Sequence, residues 1–107
     1  MDELVAEAIG YSRGTDGVYV SGEAINGYFI GGRWFSNIPN FSTEWEDMGV
    51  LVEESRKQGI YIDILSNETC YISEAKTMSN VTIGKSTKSE APHAACLAFL
   101  AANGIAI

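Results

Sequence analysis

The sequence predicts an α+β protein: an antiparallel β-sheet packed by helices. Three observations carry this. Ile60-Tyr61-Ile62-Asp63-Ile64 and Cys70-Tyr71-Ile72-Ser73 alternate with period two on either side of Ser66-Asn67-Glu68, the pattern of a hairpin with one buried face. Two other segments, 43–58 and 91–102, carry apolar residues at helical spacing. At 107 residues and 46% hydrophobic the chain suffices for one core and not for two, so residues 1–107 are expected to form one domain.

Taken in order, Asp2-Glu3-Leu4-Val5-Ala6-Glu7-Ala8-Ile9 has acids in its first turn and Gly10 as a stop, which predicts a short N-terminal helix. Residues 10–32 hold most of the glycines, interleaved with Tyr11, Tyr19, Tyr28 and Phe29. Short β pieces at Val18-Tyr19-Val20 and Tyr28-Phe29-Ile30 fit between them, with no readable register. Thr43 and Glu46 have the spacing of a capping box, and Trp45, Met48, Leu51, Val52 and Ser55 form one face of a helix over 43–58 that Gly59 ends. Gly49 in its middle costs up to about 1 kcal/mol relative to Ala. Strands are expected at 60–65 and 69–74, antiparallel because parallel strands need a crossover of about a dozen residues. A third strand follows at 80–84. Ser89-Glu90-Ala91-Pro92 then opens a last helix over 91–102, with Gly104 beyond its end.

These residues also carry a likeness. Trp34 and Pro39, then Phe41-Ser42-Thr43, Trp45-Glu46, Val52-Glu53-Glu54 and Gly59, and finally Ala91-Pro92-His93-Ala94-Ala95-Cys96-Leu97-Ala98-Phe99-Leu100 resemble the phage ABA-sandwich domain family over roughly residues 34–104. The resemblance implies an α/β sandwich encoded by a phage or prophage and working in the cytoplasm of a bacterial host. It brings no catalytic motif, so no enzyme activity is expected. Two departures stand out: Ser36-Asn37-Ile38-Pro39-Asn40 lengthens the connection from Trp34 to the helix, and Gly49 replaces an expected Ala.

Fourteen acids against seven bases give a net charge of −7, and residues 1–54 hold most of the acids. A chain this acidic is not expected to bind DNA directly, because phosphate binding is driven by Lys and Arg displacing counterions. No run of about 18 apolar residues occurs and the N-terminus opens with acids, so neither a membrane span nor a signal peptide is expected. Two cysteines and one histidine are too few for a disulfide scaffold or a His-rich metal site, and no metal or cofactor is expected.

Four groups of residues could carry function. Glu44, Glu46, Asp47, Glu53 and Glu54 are expected on the outer face of the 43–58 helix, where they could meet a basic protein; the solvated face is the bland alternative. Residues 76–89 hold Lys76, Lys85 and Lys88 and no acid. There Lys85 and Lys88 could meet phosphate while Arg33 and Trp34 stack on a base. Gly84-Lys85-Ser86-Thr87 is not a P-loop, since Ser79 stands where its first glycine belongs. His93 and Cys96 lie three apart and could share a helix face, although a packed thiol is the simpler reading. The expected partner is a host defence protein such as a nuclease, with a sequestered nucleotide signal as the alternative and a phage assembly role as a third. A homo-oligomer would help enclose a ligand in so small a chain.

Overall fold

The computed structural model of the chain describes residues 1–14, 19–20, 23–24 and 26–105. Among them the elements run α1 (Asp2–Ile9), β1 (Ser12–Gly14), β2 (Tyr19–Val20), β3 (Glu23–Ala24), β4 (Gly27–Ile30), β5 (Arg33–Phe35), α2 (Trp45–Lys57), β6 (Tyr61–Ser66), β7 (Tyr71–Lys76), β8 (Thr82–Lys88) and α3 (Ala91–Ala102). The strands form two three-stranded antiparallel sheets, β1-β4-β5 and β6-β7-β8, and a β2-β3 pair. The architecture is α+β, as the sequence predicts.

The β6-β7-β8 sheet follows from its hairpin. The Asn67 side-chain oxygen accepts hydrogen bonds from the Thr69 and Cys70 backbone N–H groups, both at 2.9 Å, so an Asx turn reverses the chain. That turn sets the register Ile62 opposite Ala75 and Ile64 opposite Ser73. Side chains alternate across a strand, and Ile62, Ile64, Tyr71 and Ala75 therefore face the core. β8 runs to Lys88, four residues past the expected end at 84, because the polar Lys85-Ser86-Thr87 stretch keeps pairing with β7.

All three helices belong to one layer. α3 lies across β7 and β8, α2 packs on β6 and α3, and α1 packs on α2 and α3. Small residues allow α3 to approach closely: Ala91, Ala94, Ala95 and Ala98 are buried. Gly84 is their counterpart on the sheet, since a Cβ there would overlap the Ala98 carbonyl oxygen and the Ala102 nitrogen. Phe41, Leu51, Phe99 and Leu100 fill the space between. The apolar area they remove from water, at roughly 25 cal/mol per Å², is the main force holding the layer to the sheet.

Two local expectations are corrected. α2 begins at Trp45, with Glu44 as its N-cap and no side-chain cap bond; the Thr43–Glu46 capping box does not form, because Thr43 lies in a turn whose N–H is taken by the Asn40 carbonyl. Trp45, expected in the buried face, is 58% exposed and meets Tyr71 edge to face at 5.9 Å. Val50, outside the expected face, is buried. In the N-terminal third, Tyr19 and Val20 form β2 while Val18 lies outside the described residues, and Tyr28–Ile30 falls within β4.

Candidate functional site

The five acids of the 43–58 segment divide into two kinds. Asp47 Oδ2 accepts the Asn40 N–H at 2.8 Å, which ties the connection from β5 to the first turn of α2. Glu54 is turned inward against the Gly31 turn of the β4–β5 hairpin, and its Oε2 receives Lys57 Nζ at 2.8 Å. Glu44, Glu46 and Glu53 are exposed; Glu53 has only a loose pair with Arg56 at 3.7 Å. Such exposed pairs contribute little, about 0–1 kcal/mol. The acids left exposed are therefore Glu46 and Glu53, which share one side of α2, and Glu44 at its N-cap, with Asp47 and Glu54 engaged by their own chain.

Arg33 joins this surface. It lines a groove of about 320 Å³ together with Glu46, Gly49, Glu53 and Lys57, and its guanidinium stands 5.2 Å from the Phe35 ring centre. Gly49 leaves the groove open, since a Cβ there would meet nothing within 4 Å. Trp34 is used differently. Its Nε1–H donates to the Gly14 carbonyl at 3.0 Å and its indole lies over Gly27, where any side chain would collide with it. It clamps β1 and β4 together.

Lys85 and Lys88 do not act as a pair. Three residues apart on β8, they point to opposite sides of the sheet. Lys85 sits beside Glu74 across the ladder at 3.8 Å, and Lys88 is opposite Tyr71 on the helix side. Both belong to a different sheet from Arg33 and Trp34, so the four-residue phosphate-and-stacking constellation is not assembled within one chain.

A cationic position that the sequence reading missed is Arg13. Its Nη2 donates to the Tyr28 hydroxyl at 2.9 Å, and that bond raises the guanidinium pKa. Tyr28 also meets Tyr11 edge to face at 5.4 Å. Arg13, Asn26, Tyr28, Ser36 and Asn37 line a groove of about 370 Å³ with no carboxylate among them. Nothing in the run Ser12-Arg13-Gly14 announces this, because the groove exists only once β1 pairs with β4.

On α3, Cys96 is buried and His93 half-buried. Burial, with a smaller effect from Asp2, pushes the Cys96 thiol up to about 12, so the sulfur is held protonated. Among the described residues no group of three or more His, Cys, Asp or Glu could hold a metal ion, and no helix is long and apolar enough to cross a membrane. Compared with known proteins, the chain matches no family model, no curated protein and no solved structure.

Proposed function

We propose that this chain is a non-catalytic accessory protein of a phage or prophage that binds a basic surface of a bacterial defence protein through the outer side of α2, in the host cytoplasm. One observation carries the reading: Glu46 and Glu53 stand exposed on one side of α2, about two turns apart, with Glu44 exposed at its N-cap, in a chain whose net charge is −7, without a strong pair to hold them back. A nuclease surface that normally holds DNA has the complementary charge, and carboxylates fixed on a rigid helix can occupy it at little entropic cost. The phage setting rests on the resemblance in residues 34–104. Affinity capture from a host carrying defence genes, repeated with a Glu44→Lys, Glu46→Lys, Glu53→Lys variant and at rising salt, tests the idea. Loss of the captured partner in both conditions is expected; a partner retained by the charge-reversed variant removes the proposal.

A nucleotide signal is the second reading, and the Arg13 groove favours it. An arginine held by a tyrosine hydroxyl, flanked by amide and hydroxyl donors, suits a phosphate beside a ring. Calorimetric titration with cyclic dinucleotides should give heat that Arg13→Ala abolishes. Absence of heat at millimolar nucleotide discards this reading.

A further inference from the structure

α2 carries a glycine that its own fold does not require. The other described glycines either have positive φ or sit where a Cβ would strike a neighbour. Gly49 does neither: it lies inside α2, and a Cβ there would meet nothing within 4 Å. Glycine is, after proline, the poorest residue for a helix interior, so stability is lost at this position with no packing gained in return. No contact within the described chain uses the space.

A helical side chain leans towards the N-terminus and covers the turn before its own Cα. A side chain at position 49 would therefore cover the spot between Trp45 and Glu46, its neighbours on the preceding turn. Both flanks of that spot are uncommitted. Trp45 is held edge to face by Tyr71 at 5.9 Å yet is 58% exposed. Among the described residues, cations stand over the Tyr28 and Phe35 rings and none over this indole. Glu46 is exposed and has no ion-pair partner among the described residues. The cations of the adjoining groove are engaged, Lys57 by Glu54 at 2.8 Å and Arg33 by the Phe35 ring at 5.2 Å.

Charge and shape select the occupant. Glu44, Glu46 and Asp47 gather at the start of α2 against the single Lys88 that stands opposite Tyr71, which disfavours an anion. We infer that the step at Gly49 receives an arginine side chain of a basic protein partner, its guanidinium lying on the Trp45 indole and pairing with Glu46. Arginine suits both contacts: its plane stacks on an aromatic face, its fork matches a carboxylate, and it is more weakly hydrated than an ammonium. Tryptophan and arginine are also the residues in which interface binding energy concentrates. The inference rests on α2 as the binding side and adds the partner residue which that side takes.

Calorimetric titration of the intact chain at low salt, with an arginine homopeptide and a lysine homopeptide of equal length, tests it. The arginine peptide should bind about 3- to 5-fold more tightly. In nitrogen-resolved NMR spectra the Trp45 indole N–H signal, assigned through Trp45→Leu, should move with the arginine peptide; that of Trp34, donated to the Gly14 carbonyl, should stay. Gly49→Gln replaces the glycine with a good helix former and should raise the melting temperature by a few degrees, yet remove the arginine preference by filling the step. Trp45→Leu should remove the preference too, whereas Glu46→Lys combined with Glu53→Lys should weaken both peptides. Equal binding of the two peptides by the wild type, weakened by the charge reversal, overturns the arginine site and leaves the acidic side of α2 standing. Binding of neither peptide removes both. A preference that survives Gly49→Gln or Trp45→Leu also overturns the inference, as does a Gly49→Gln variant that melts below the wild type, because the fold itself would then need the glycine.

Discussion

Ser73 and Cys96 show how single positions under α3 respond to their surroundings. The Ser73 hydroxyl is fully buried and has no hydrogen-bond partner among the described residues. An unpaired buried hydroxyl costs about 1–3 kcal/mol, so Ser73→Ala should raise stability, by on the order of 1 kcal/mol; urea denaturation measures it. Cys96 behaves as a small apolar residue. Because its folded pKa lies above the ordinary value of 9.0, at about 12, the thiol stays protonated in the folded chain while the unfolded chain ionises. Its contribution to stability is complete below pH 9 and is lost as pH rises towards 12. A thiol reagent at pH 8 should therefore modify half-buried Cys70 quickly and Cys96 only after unfolding, and Cys96→Ala should flatten the alkaline decline seen in thermal melts.

Among the elements, α2 combines a structural and a binding role in separate residues. Asp47→Ala removes the acceptor for the Asn40 N–H and should cost about 0.5–2 kcal/mol, the range for losing a helix-terminus cap. Glu46→Lys and Glu53→Lys, with exposed side chains, should change stability by no more than about 0.5 kcal/mol. Parallel melts of the three variants separate the two roles. The sequence made α2, the β6–β7 hairpin and α3 legible because each has strong local periodicity and a local stop signal at Gly59, Asn67 or Gly104. It did not make β4 and β5 legible as a pair, although Gly31-Gly32 between Tyr28-Phe29-Ile30 and Arg33-Trp34-Phe35 is a two-residue hairpin signal; both glycines do have positive φ, 60° and 80°. The dense glycines around them hid it. Of the candidate site, the acidic helix could be read from spacing alone, but which acids are spent inside the fold could not. Asp47 and Glu54 are engaged by Asn40 and by the Gly31 turn, and these contacts depend on the path of the chain between β5 and α2.

For the molecule as a whole, charge and shape work against compactness. The radius of gyration is 15.0 Å, above the roughly 13 Å of a compact chain of this length. A net charge of −7 adds self-repulsion that salt screens, the Debye length falling from about 30 Å at 0.01 M to about 8 Å at 0.15 M. The melting temperature should therefore rise over that interval, as scanning calorimetry at both salt concentrations would show. A fall would mean that the ladder of Lys76 and Lys85 with Asp63 and Glu74 outweighs the repulsion.

The attachment of α1 has a consequence for the order in which the chain can fold. Its last carbonyls, Ala8 and Ile9, accept hydrogen bonds from Gln58 Nε2 at 3.1 and 2.9 Å, and Asp2 near its start accepts the Ser42 N–H at 2.9 Å. Eight residues are too few to hold a helix in water unaided. During synthesis residues 2–9 leave the ribosome ahead of both tethers and must wait as open chain until residue 58 has emerged. Pulse-labelled hydrogen exchange during refolding should find the amides of α1 protected no earlier than those of α2, so the helix nearest the start of the sequence is among the last to be secured.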